Sequence, residues 1–230
     1  MAAVSDDASR TQASRRASTR SALLEAAARG LSRYGYANVA LEGVAAEAGY
    51  SRGALYHLFA NKEDLALAVV AWVDETWTAE VGDPAAARAE PVDVLLALAR
   101  GHAVYCRRDV ARVMQTLRVE FLGQDHPVGR AVAKIIDGLV VDCAELIAAG
   151  RSSGAIPPGP PPQETATAFV SVVEAVGISV AGQSHDTELA ERAVRGVLGL
   201  PPAPISTDAQ TREPTGRQTN QKGRSRHETA

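Results

Sequence analysis

From Ser18 to Leu200 the apolar residues recur at three- and four-residue spacing, and no stretch alternates long enough to make a strand. Leu23, Leu24, Ala27, Leu31 and Tyr34 form the stripe of a first helix, capped by Ser18 or Thr19 and closed at Gly35. A short helix is predicted from about Leu41 to Ala48, stopped by Gly49, and a second from a Ser51 cap to about Leu58. Asn61 caps a fourth helix bearing Leu65, Ala68, Val69, Trp72, Val73, Thr76 and Trp77, which ends at Gly82-Asp83-Pro84. Further helices are predicted from Pro91 to about Arg107, from Asp109 to about Leu122, and from Pro127 to Arg151. After the linker SSGAIPPGPPP come two more, Gln163 to Ala181 and Thr187 to Leu198. The pattern predicts an all-α protein of about nine helices.

The ends of the chain read differently. Residues 1–17 are small, polar and charged, and are expected to be a disordered arm. Residues 201–230 carry Ile205 as their sole bulky apolar side chain and are expected to be a disordered tail. Between them, residues 18–60 form one predicted unit and residues 61–200 another, and 230 residues suffice for one domain or two small ones.

Composition removes several function classes. Cys106 and Cys143 cannot make a disulfide framework or a four-ligand zinc site. The N-terminus lacks the apolar run of a secretory signal. The most apolar window, Thr165 to His185, contains Glu174, Gln183 and several hydroxyls, too polar for a membrane span. A cytoplasmic, nucleoid-associated protein with no membrane partner is expected. No Gly-rich phosphate loop, nucleophile elbow or metalloprotease helix is present, so no enzyme, catalytic residue or cofactor is expected. His102 and Cys106 share a helix face, but two ligands do not close a metal site, and none is expected. Net charge is −3 overall, yet residues 10–65 carry eight Lys/Arg against five Asp/Glu, a mildly basic segment ahead of an acidic body.

Residues 41–58, LEGVAAEAGYSRGALYHL, have the spacing of a helix-turn-helix. Ala45 and Ala48 permit a close crossing, Val44 and Leu55 can pack beneath, and the second helix opens with the short polar run Ser51-Arg52-Gly53. On spacing alone, a helical corner inside any all-α core fits equally well. The longer string GYANVALEGVAAEAGYSRGALYHLFANKEDL, Gly35 to Leu65, resembles the signature of the tetracycline-repressor (TetR) family of transcriptional regulators. The matching positions are Gly35-Tyr36, Val44-Ala45, Ala48-Gly49, Ser51, Gly53, Leu55-Tyr56, Phe59, Asn61-Lys62-Glu63 and Leu65. Three positions depart from it. Val39 and Ala40 stand where hydroxyl residues are usual, the second of them a helix cap whose loss costs about 1 kcal/mol, and Leu58 stands where an aromatic or His is usual.

The resemblance implies a homodimeric, ligand-responsive repressor: three N-terminal helices on a near-palindromic operator in double-stranded DNA, and a helical body that senses a small molecule and dimerises. Implied DNA contacts are Thr19 and Arg20 at the opening of the first helix, Ser51, Arg52, Gly53, Tyr56 and His57 on the recognition helix, and Lys62 beyond it. Arg52 can reach a guanine edge in bidentate fashion, whereas Tyr56, His57 and Lys62 suit phosphates. Arg15 and Arg16 could enter the minor groove from a flexible arm. Candidate pocket residues are Trp72, His102, Tyr105, Met114, Arg118 and Phe121, with Arg118 suited to an acidic ligand group. Dimerisation is expected through the eighth and ninth helices, using Ala166, Phe169, Val170, Val173 and Val176 with Leu189, Ala193, Val194 and Val197. The alternative is a helical regulator acting on protein partners through a helix-turn-helix that no longer binds DNA.

Overall fold

The computed structural model describes residues 3–203. Among these residues there are nine helices of seven residues or more and no strand. They are α1 (Ala3–Asn38), α2 (Leu41–Glu47), α3 (Arg52–Leu58), α4 (Lys62–Trp77), α5 (Pro91–Tyr105), α6 (Val113–Glu120), α7 (Pro127–Ser152), α8 (Pro162–Val180) and α9 (Asp186–Leu198). A π-helical turn, Thr78–Gly82, and a single α-turn, Asp83–Ala86, prolong α4 past the predicted stop. The tail expected to be disordered lies, from residue 204 on, outside the described residues.

The helix starts follow from local chemistry. The Ser51 hydroxyl accepts from the Ala54 amide at 3.2 Å. At α4 the Asn61 side chain accepts from the Asp64 amide (2.8 Å) while the Asp64 carboxylate accepts from the Ala60 amide (2.9 Å), a reciprocal cap. Pro91, Pro127 and Pro162 fill first-turn positions, where a missing N–H costs nothing. Ala40 precedes α2 and makes no side-chain cap.

α1 departs from expectation. It begins at Ala3 rather than at Ser18 or Thr19, so residues 3–17 are helix and not a disordered arm. Residues 3–17 contain four alanines and neither Gly nor Pro, so helix extends cheaply from the turns packed at Leu23. Thr19 consequently caps nothing; its hydroxyl donates to the Arg15 carbonyl one turn back, at 2.9 Å.

One continuous apolar core joins α1–α3 to the body. α1 packs on α2, α4 and α6, and α5 lies centrally against α7, α8 and α9. This placement uses up much of the face expected for dimerisation. Ala166, Phe169, Val170, Val173 and Val194 are buried inside the subunit. Val172, Val176, Leu189, Ala193 and Val197 remain at least partly exposed.

The turn between α8 and α9 is held by one buried carboxylate. His185 adopts a left-handed backbone (φ 65°), and Asp186 behind it accepts from Arg107 Nε (2.9 Å) and Nη2 (2.7 Å) and from the Gly182 (3.0 Å) and Thr187 (2.8 Å) amides. The Arg107 guanidinium holds this carboxyl down at about 2. A depressed carboxyl stabilises the fold above its ordinary value near 4, and that contribution disappears as pH falls through the folded value. Asp186→Asn should therefore lower the melting temperature near neutral pH. The gap to the wild type should narrow steadily as pH falls from about 4 to about 2. Thermal melts across that range check this, and a gap independent of pH would refute it.

Candidate DNA interface and ligand cavity

The α2–α3 turn is set by Gly49, whose φ of 77° favours a residue without Cβ. The Gly49 amide donates to the Ala46 carbonyl (3.1 Å) and the Tyr50 amide to the Ala45 carbonyl (2.9 Å), closing α2. Leu55 on α3 and Phe59, the residue just past its end, then point inward and are buried. The opposite face presents Ser51, Arg52, Gly53, Tyr56 and His57, all exposed. Arg52 Nη1 lies 3.0 Å from Glu42 Oε1, and its guanidinium sits 5.3 Å from the Tyr56 ring. Both partners of that ion pair are largely exposed, and such pairs contribute at most about 1 kcal/mol, so Arg52 is free to exchange Glu42 for another acceptor. A Cβ on Gly53 would meet nothing nearer than the Ser51 hydroxyl at 3.8 Å. Packing within the chain therefore does not require glycine there; a close external surface would.

Two other implied DNA contacts are engaged by the protein itself. Arg20 lies 4.9 Å over the Phe59 ring, beside the end of α3 rather than at a helix start. Lys62 donates its ammonium to the Ala37 carbonyl at 2.9 Å and sits 5.0 Å over the Tyr36 ring. An ammonium has three donors, so a phosphate remains within its capacity. Its structural task is to tie the start of α4 to the end of α1. Arg15 and Arg16 are exposed on the helical extension of α1, not on a flexible arm.

The end of α1 is also held by the body. Gly35 breaks the helix with φ 73° and ψ 177°, leaving the amides of Tyr36 and Ala37 without helical partners. Glu120, the last residue of α6, accepts both, at 2.6 Å and 2.7 Å. Phe121 stacks on His126 (centroids 4.2 Å), and Tyr36 meets both rings edge-on at 5.2 and 5.1 Å. Phe121 thus belongs to this junction and does not line the cavity, contrary to expectation. It is the residue that closes α6, and the helical stripe alone did not show that its ring turns toward Tyr36.

A cavity of about 570 Å³ lies among α4, α5, α6, α7 and α8, within the range of small-molecule sites. His102, Tyr105 and Met114 line it; Trp72 and Arg118 do not, whereas Trp77, Asp74 and Glu174 do. Arg118 is bonded to Glu174 (Nη1 to Oε2, 2.7 Å) and so is not the free cation expected for an acidic ligand. His102 is locked. Its Nδ1 accepts from the Trp77 indole N–H at 3.0 Å, which leaves the ring proton on Nε2, 3.2 Å from Cys106 Sγ. Burial lowers the imidazole to about 4 and raises the Cys106 thiol to about 12, so the thiol resists the deprotonation that redox chemistry needs, and the one acceptor nitrogen of the neutral imidazole is already taken by Trp77. A Cβ on Gly177 would fall 2.6 Å from His102 Cδ2, so α8 can approach only through a glycine. Among the described residues no three His, Cys, Asp or Glu side chains group as metal ligands, and no helix is long and apolar enough to cross a membrane. The missed acid Asp74 had a legible signal. Val70, Val73, Asp74 and Trp77 share one face of α4, and Asp74 is the single charge in that stripe.

Comparison with known proteins bears on this arrangement. Residues 23–69, from mid-α1 into α4, match the sequence profile of the family described as bacterial regulatory proteins, tetR family. The chain carries a tetR-family N-terminal domain. The whole chain also has the all-α fold of tetR-family regulators. It superposes on AibR in complex with isovaleryl coenzyme A and operator DNA with a TM-score of 0.67 and 22% identity, covering 78% of this chain and 98% of that one. A tetR-family regulator from Streptomyces coelicolor, SCO4454, gives 0.66 and 23%, with 80% and 95% covered. The fatty acid degradation regulator FadR from Bacillus halodurans gives 0.64 and 16%, with 78% and 97% covered. No functionally curated protein matches the sequence.

The junction at Gly35 generates a stability prediction. Gly35→Ala places a Cβ on backbone at φ 73° and ψ 177°, a region essentially reserved for glycine, costing about 1–3 kcal/mol, and puts it 2.6 Å from Glu120 Oε2. Chemical denaturation should show a loss of at least that size. Gly43→Ala, where a Cβ meets open space in mid-α2, should be neutral or stabilising and serves as the control.

Proposed function

We propose that this protein is a ligand-responsive, homodimeric transcriptional repressor. α3 enters the major groove of a near-palindromic operator, and a small molecule in the body cavity releases the DNA. One observation carries the reading. The cavity is walled by α4 and α6, and these same helices hold the end of α1 through Lys62–Ala37 and Glu120–Tyr36/Ala37. A ligand that favours one placement of α4 and α6 thereby biases the placement of α3. The AibR structure, holding both an acyl-coenzyme A and operator DNA, supports the same division of labour. Val172 and Val176 of α8 with Leu189, Ala193 and Val197 of α9 supply the outward apolar surface for a two-fold partner. The protein acts by binding rather than catalysis, in the cytoplasm on the nucleoid.

Ala40, which leaves α2 uncapped, is the one feature favouring a protein-directed regulator that no longer binds DNA. Selection of sites from a random DNA pool separates the readings. The repressor reading predicts a site with dyad symmetry and an affinity that falls steeply with salt. Arg52→Ala should cost about 1–3 kcal/mol and relax preference at one or two base pairs per half-site. Lys62→Ala should weaken all sequences alike and also lower the melting temperature, because the Ala37 carbonyl loses its donor. Failure to enrich any sequence, or affinity indifferent to salt, would overturn the proposal.

A further inference from the structure

We infer that the cavity takes an apolar ligand with a cationic nitrogen headgroup and discriminates against anionic ligands. The inference rests on the cavity being the effector site and adds its chemistry. The walls are mainly aliphatic, including Val70, Ile135, Leu139 and Val173. Every donor at the closed end is already spent. The Trp77 indole is bonded to His102, the proton on His102 Nε2 faces Cys106, and the Tyr105 hydroxyl is bonded to Thr76 at 3.0 Å. Gln115 and the exposed Thr78 are the remaining neutral donors on the wall. Among the charged groups, α8 contributes Glu174, already paired with Arg118 from α6. α7 contributes Lys134 and Asp142, both exposed and opposite in sign. α4 contributes Asp74, which is half-buried and acted on only by burial and by neighbouring Glu75, both unfavourable to its charge.

The half-buried part of the lining thus holds one carboxylate, Asp74, without a compensating cation, and the one cation of the lining, Lys134, is exposed. An anionic headgroup beside the half-buried Asp74 would meet a like charge, while the one cation of the lining, Lys134, is exposed and screened by solvent, so that placement is costly. A cationic nitrogen would gain the Asp74 carboxylate, in a cavity whose lining also carries the Glu174 carboxylate and the Trp77 ring. The preference is opposite in sign to that of an acyl-coenzyme A. Because Asp74 lies on α4, such a ligand engages the helix whose first residue grips α1.

Three probes with the same tail, n-octylamine, n-octanol and n-octanoate, test this on the full chain, read by calorimetry and by Trp77 fluorescence. The amine should bind about tenfold or more tighter than the carboxylate, with the alcohol between. Asp74→Asn should reduce the amine to the level of the alcohol while leaving the alcohol unchanged. Asp74→Glu should retain the preference, which guards against a variant that merely misfolds. Octanoate binding as tightly as the amine, an amine preference surviving Asp74→Asn, or no binding of any probe would overturn the inference. The effector reading fails separately: it falls if Asp74-dependent amine binding leaves affinity for the selected DNA unchanged.

Discussion

Two hydrogen bonds to one carboxylate decide how this molecule is joined. Gly35 turns the chain out of α1 and strips Tyr36 and Ala37 of helical acceptors, and Glu120 at the end of α6 supplies both. Charge-assisted bonds of this kind are short, directional and stronger than neutral ones. They fix the helix-turn-helix unit against the body at a point where no side chain but glycine fits. Lys62 grips the neighbouring carbonyl from α4. The aromatic contacts of Tyr36 with Phe121 and His126 fill the remaining space.

The junction matters because the two gripping helices also wall the cavity. Val70, Asp74 and Trp77 face it from α4, and Met114 and Gln115 from α6. The apolar core around the cavity is continuous with the core beneath α3, where Leu55 and Phe59 are buried. Packed interiors pass displacement on rather than absorb it. Motion of α4 or α6 must therefore carry residues 36–37 along or break the bonds that hold them. Either outcome changes the energy of the placement of α3, and on the proposed function a ligand would shift that equilibrium by its differential affinity for the placements.

The helix-turn-helix was legible because its signals are local. Ser51 and Asn61 cap the helices that follow them, Gly49 makes the turn, and the stripe through Leu55 and Phe59 is contiguous in sequence. The body was legible in helix count but not in the use of its faces. The apolar stripe of α8 satisfied both a core and a dimer reading, and packing against α5, α7 and α9 assigned most of it to the core. Arg118 looked free until α8 placed Glu174 beside it, a pairing across 56 positions of sequence. Phe121 looked like a pocket residue until the end of α6 turned it toward Tyr36. The helical extension through residues 3–17 was missed because polar composition suggested an arm, although nothing in it opposes helix.

The measurement that bears most directly on this account is the affinity of Glu120→Ala for the selected DNA, taken with amide exchange at Tyr36 and Ala37. With the carboxylate gone, the two amides should exchange faster while the amides of α3 keep their protection. The helix-turn-helix unit must then be ordered during binding, and DNA affinity should fall by about tenfold. Freely exchanging amides at Tyr36 and Ala37 with undiminished DNA affinity would contradict the claim that this junction sets the position of α3.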